Sequence, residues 1–118
     1  MIGDVGGAWP LCEEAARVFE QSGDLQRLAA ARVNLGGYRR ALGRAAEAAT
    51  ELESARELCR AVGHRRGEGY ACQELGSARA AVGDLPGALE ALRAAVEIAN
   101  ELRDPRLEPV RRTLSNGG

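Results

Sequence analysis

Residues 75–92 read LGSARAAVGDLPGALEAL, and residues 35–52 read LGGYRRALGRAAEAATEL. Sliding the 118-residue chain against itself by 40 positions aligns Leu35-Gly36 with Leu75-Gly76, Arg39 with Arg79, Ala41 with Ala81 and Gly43 with Gly83. The register then holds through Ala48 and Ala88, Leu52 and Leu92, Ala55 and Ala95, and Glu57 and Glu97. Upstream it carries Gly23 onto Gly63 and Ala31 onto Ala71. An internal period of about 20 to 50 residues marks an array whose units bury their apolar faces only against their neighbours. Cys12, Ala15 and Val18 precede Leu52, Ala55 and Leu58 by one period, and a further copy starts at Arg103. The chain therefore reads as one array with a partial unit 8–22, units 23–62 and 63–102, and a partial unit 103–118.

Inside each unit the apolar spacing is helical. Leu28, Ala31, Leu35, Tyr38 and Leu42 form one stripe, and Ala48, Leu52, Ala55, Cys59 and Val62 the next. Ala71, Leu75, Ala78 and Val82, then Ala88, Leu92, Ala95 and Ala99, repeat the pattern. Between stripes stand Gly43-Arg44 and Gly83-Asp84, each a helix stop followed at once by a helix start. Asp84 is placed to cap the helix that follows, and Pro86 suits its first turn, where a missing N–H has no intrahelical partner. The expected fold is all-α, with antiparallel helices over residues 8–21, 25–42, 45–62, 65–82, 85–102 and 105–115.

Composition agrees. Four aromatic residues stand among a 45% hydrophobic content supplied mostly by alanine and leucine, with arginine and glutamate as the main charges. These residues lose little rotamer freedom in a helix. The net charge of −1 is interspersed rather than blocked, so no field points to nucleic acid or an anionic membrane. The apolar runs fall short of the ~18 residues that cross a bilayer, and the N-terminus lacks a signal-peptide layout. A cytoplasmic location is expected.

Catalytic and metal chemistry find no constellation. Cys12, Cys59 and Cys72 match no metal or redox spacing, and His64 alone cannot complete a zinc set. Buried thiols are the expectation, with a Cys59–Cys72 disulfide as the alternative on oxidation. His64 lies in the turn Gly63-His64-Arg65-Arg66-Gly67 and reads as a solvated loop residue. Neither Ser54 nor Ser77 has an evident route to it. The glycines at 3, 6, 7, 36 and 37 follow no strand, and the chain has no lysine, so a phosphate loop is not expected. Glu13-Glu14 and Glu51-Leu52-Glu53 lack helical histidine partners and read as solvent-facing. Arg39-Arg40, Arg65-Arg66 and Arg111-Arg112 fall at turns or helix ends, where cations complement the helix dipole.

Two helices per unit, with Leu35-Gly36 and Leu75-Gly76 in the first, Gly43 and Gly83 at the turn, and Ala48, Leu52, Ala55 and Ala88, Leu92, Ala95 in the second, resemble the tetratricopeptide repeat. The unit is 40 residues long where the common form has about 34, so it is similar to the longer-helix subclass. Arg32 and Cys72 stand where that family favours tryptophan, and Arg39 and Arg79 where it favours tyrosine. The resemblance implies a right-handed α-solenoid of about six helices, whose first helix in each unit lines a concave face suited to an extended peptide or partner helix. Its groove positions fall on Ala30, Val33, Asn34, Gly37 and Arg40, then on Tyr70, Gln73, Glu74 and Ser77. Of these, Asn34, Arg40, Tyr70, Gln73, Glu74 and Ser77 are the candidate partner-binding residues. The family's basic clamp for a peptide carboxylate is not reproduced, because Val33, Gln73 and Glu74 occupy its positions. The expected function is a non-enzymatic protein–protein interaction scaffold without cofactor, metal, nucleic acid or membrane. The alternatives are a ligand- or peptide-sensing regulatory array and a module that self-associates through its terminal helices, where apolar Trp9, Leu11, Val18 and Phe19 offer a sticky face.

Overall fold

The computed structural model describes the backbone of residues 2–103 and the side chains of residues 12–103. Five helices make up the described residues, which hold no strand: α1 (Ile2–Ser22), α2 (Leu25–Ala41), α3 (Ala45–Ala61), α4 (Arg65–Ala81) and α5 (Leu85–Leu102). The starts at 25, 45, 65 and 85 are those the sequence predicts. Helices α2, α3 and α4 end one residue sooner than expected, because Leu42, Val62 and Val82 already act as C-caps. The larger difference is α1, which begins at Ile2 rather than near residue 8 and runs through Gly3, Gly6, Gly7 and Pro10. Nucleation is the costly step of helix formation, so a helix established further along extends through weak formers at about 1 kcal/mol per glycine. The expected helix 105–115, the Arg111-Arg112 pair and the C-terminal end of the proposed self-association surface lie outside the described residues.

One turn design joins the helices. Gly23, Gly43, Gly63 and Gly83 take φ of 76°, 82°, 72° and 86°, a left-handed conformation that costs a residue with a Cβ roughly 1 kcal/mol or more. Each turn is then locked by the same bond, with the N–H of the next residue donating back across it. Asp24 donates to the Phe19 carbonyl at 3.0 Å, Arg44 to Arg39 at 2.9 Å, His64 to Cys59 at 2.8 Å and Asp84 to Arg79 at 2.8 Å. The residue that closes one helix also opens the next. Asp24 accepts from the Arg27 N–H at 3.1 Å and Asp84, as expected, from the Gly87 N–H at 3.0 Å.

His64 is a correction to the reading as a solvated loop residue. Its Nδ1 accepts from the Gly67 N–H at 2.9 Å, so it caps α4 as the aspartates cap α2 and α5. Arg44, at the equivalent place before α3, offers no side-chain cap.

Each helix folds back on its predecessor. Gln26 Nε2 donates to the Val62 carbonyl at one end of the α2–α3 pair, while Gly36 faces Leu52 further along, the ordering of antiparallel helices. Adjacent helices pack throughout, and α2 also packs on α4, skipping α3. The core is thin and alanine-rich. Ala16, Leu28, Ala31 and Leu35 join α1 to α2; Ala29, Val33, Ala55, Cys59 and Ala71 join α2, α3 and α4. Ala48, Leu52, Leu75, Ala78 and Ala91 span α3 to α5, and Cys72, Ala95 and Ile98 close α4 on α5. Small side chains let the axes approach, which leaves Leu52, Leu75 and Ile98 as the largest fully buried groups. Cys59 and Cys72 are buried and Cys12 partly so, all as free thiols. Burial pushes the Cys59 and Cys72 thiols up to about 11, which makes them inert packing groups at neutral pH.

The arginines at the two family tyrosine positions do structural work of their own. Arg39 pairs with Glu13 of α1 at 3.6 Å, and Arg79 with Glu53 of α3 at 3.4 Å, one period apart at both ends. Arg39 also reaches Glu51 at 3.3 Å. The expectation of solvent-facing glutamates is corrected for Glu51, which is largely covered, while Glu13 and Glu53 face solvent as expected and still tie one helix to the next. The reason is long-range, since each partner guanidinium comes from a different helix.

Candidate functional site

Because α2 and α4 pack on each other, their outward sides form one groove of about 390 Å³. Val33, Asn34, Gly37, Tyr38 and Ala41 supply the α2 wall, and Tyr70, Gln73 and Glu74 the α4 wall. At Gly37 a methyl would meet the Glu74 carboxylate at ordinary contact distance, 3.8 Å. Of the six candidate residues, Asn34, Tyr70, Gln73 and Glu74 line this groove together. Arg40 is not in its wall; its Nε donates to Glu74 Oε2, an ion pair from α2 to α4 with both side chains about a third exposed, at 36% and 29%. Ser77 lies on the exposed side of α4 and donates to the Gln73 carbonyl at 3.5 Å, apart from the groove residues. Ala30 belongs to a neighbouring hollow of about 230 Å³ between α1 and α2, with Cys12, Phe19 and Arg27. Asn34 borders both spaces, so the groove and the hollow form one interrupted strip.

Tyr38 and Ala41, which the family positions did not single out, are the residues missed in the groove, and Tyr38 is the polar one. Tyr38 occupies the apolar stripe of α2, and a stripe residue near a helix end is only half covered. The lining presents two amides and two phenols over an apolar floor, together with the Glu74 carboxylate that Arg40 pairs from outside the wall.

A second cleft, about 460 Å³, lies between α3 and α5 over the start of α4. It is crowded with charge. Glu68, the one buried charged residue among those described, accepts from Arg65 at 2.9 Å and from Arg60 at 3.2 Å. Arg65 also binds Glu101 at 2.6 Å. Arg56 grips both oxygens of Glu90, at 3.2 and 2.9 Å, and Arg79 reaches the same carboxylate at 2.9 Å. Through these pairs Glu68 and Glu90 brace α3, α4 and α5 together, while Arg93 and Glu97 also line the cleft. Sequence spacing could not reveal this brace, as Arg56 and Glu90 are 34 residues apart.

The Arg56 hydrogen bond, then that of Arg79, hold the Glu90 carboxyl down at about 2, well below its ordinary 4.5, against the opposing effect of burial. A depressed folded-state value means stability that is fully present above about 4.5 and lost as the pH falls towards 2. Thermal melts across that window should show the wild type losing more Tm than Glu90→Gln, which has no charge to lose. Parallel losses would show that the brace contributes nothing.

Among the described residues no group of His, Cys, Asp or Glu could hold a metal ion, and no helix is long and apolar enough to cross a membrane. No protein-family model matches the chain, and no curated protein matches it.

Proposed function

We propose that this chain is a scaffold of the tetratricopeptide type, a right-handed α-solenoid that binds a protein partner through an extended peptide segment laid in the α2–α4 groove. The observation that carries this reading is the convergence of Asn34, Tyr70 and Gln73 on one open groove over an apolar floor. Amide and phenol groups in such a setting satisfy a peptide backbone, while the floor takes its alternate side chains. The period of 40, the turn glycines and the close approach of Gly36 to Leu52 support the resemblance to that family.

Selection of random decapeptides on the immobilised protein provides the test. Selected peptides should bind Asn34→Ala and Tyr70→Ala at least ~10-fold more weakly than wild type, the scale of losing one well-placed contact. Affinities that ignore both substitutions would overturn the groove reading. Self-association is the second reading, favoured by Val82, Leu85 and Leu89, which are 50%, 63% and 44% exposed around the α4–α5 turn. Light scattering that gives the mass of one chain at high concentration would remove it.

A further inference from the structure

The groove's single charged wall residue is Glu74, and it is already engaged by Arg40. Neither residue repeats. One period away stand Asn34 in place of Glu74 and Ala80 in place of Arg40, so the pair exists at one station of the array only. We infer that the Arg40–Glu74 pair sets the groove's specificity: Glu74 occupies Arg40 as a tethered carboxylate, so the groove takes uncharged extended peptides and rejects acidic ones. The inference rests on the groove being a peptide site.

Two physical points support it. The Arg40 Nε is already taken by a carboxylate that the fold holds in place, so an acidic peptide gains less there than it would at a free guanidinium. An acidic segment would also bring a like charge beside Glu74, whereas a basic one would have to compete with Arg40 for the same oxygen. With the charges cancelled, recognition falls to Asn34 and Tyr38 on the α2 wall and Tyr70 and Gln73 on the α4 wall, all of them uncharged polar side chains. An uncharged backbone is what they complement. Both members of the pair remain about a third exposed, so each is within reach of a ligand once the other is removed.

Three pools of capped random decapeptides test this, one uncharged, one with two fixed aspartates and one with two fixed lysines. The wild type should retain the uncharged pool at least ~10-fold better than either charged pool. Glu74→Gln frees Arg40 and should shift retention to the acidic pool, while Arg40→Gln bares Glu74 and should shift it to the basic pool. The opposite directions separate specificity from a fold defect, which would weaken all three pools alike. Preference of the wild type for acidic peptides, or an unchanged ranking in both variants, overturns the inference. If retained peptides still lose affinity in Tyr70→Ala, that result leaves the groove reading standing. Retention indifferent to Tyr70→Ala and Asn34→Ala overturns both.

Discussion

Gly36→Ala should destabilise the fold by about 1 to 3 kcal/mol, although alanine is the better helix former by nearly 1 kcal/mol. The added methyl would run into Leu52, 2.5 Å from Cδ2 and closer still to Cγ, and Leu52 is fully buried with no room to swing away. Gly76, one period on, offers the contrast. A methyl there meets Leu92 at 2.8 Å, but Leu92 is only partly buried, so it can yield and Gly76→Ala should cost less. Leu52→Ala should itself cost about 2 to 5 kcal/mol, as truncation of a fully enclosed leucine leaves a cavity. The two changes then compensate. In the Leu52→Ala background the Gly36 methyl enters vacated space and gains helix propensity, so Gly36→Ala should become neutral or stabilising there. Denaturant unfolding of the four proteins measures the cycle, and additive losses would show that the two helices do not meet as described.

The second large effect concerns Glu68, which is 4% exposed while its partners Arg60 and Arg65 are about half exposed. Removing the acid returns two guanidiniums to water at modest cost. Removing both bases is different, because it strands a buried carboxylate. Arg60→Gln with Arg65→Gln should therefore cost about 3 to 5 kcal/mol at neutral pH, clearly more than Glu68→Ala. Denaturant unfolding of the two variants checks this, and equal losses would count against Glu68 as a buried, base-dependent anchor.

How far the sequence foretells this molecule depends on how local the cause is. Gly43 and Gly83 mark turns because left-handed backbone is a property of one residue, and the helix starts at 25, 45, 65 and 85 follow from that. Leu52, Leu75 and Ala95 are buried as their stripes predict. The cap by His64 escaped the usual preference for Asp, Asn, Ser and Thr, yet a signal was present: His64 falls one full period after the cap Asp24 and one turn interval before the cap Asp84. The start of α1 escaped because Gly3, Gly6 and Gly7 are weak helix formers when read locally. The ion pairs escaped for a stronger reason. Arg40 with Glu74, and Arg56 with Glu90, are separated by 34 residues and meet through the stacking of helices. In the groove, the resemblance gathered Asn34, Tyr70, Gln73 and Glu74, but it put Arg40 there as a ligand contact when its guanidinium is turned to Glu74.

The turn glycines carry a last consequence. They recur at an interval of 20 residues, and Arg103, with φ of 52°, takes the same left-handed place one interval after Gly83. Excising 20 residues from turn to turn would keep every bend in step, yet it would exchange the two kinds of helix. A helix of the α2 and α4 kind, which touches its next-but-one neighbour, would land where α3 or α5 borders the charged cleft. Excising or copying 40 residues preserves both the bends and the alternation. The length of such a chain can therefore change only in whole pairs of helices, as a staircase can lose a full flight but not a single landing.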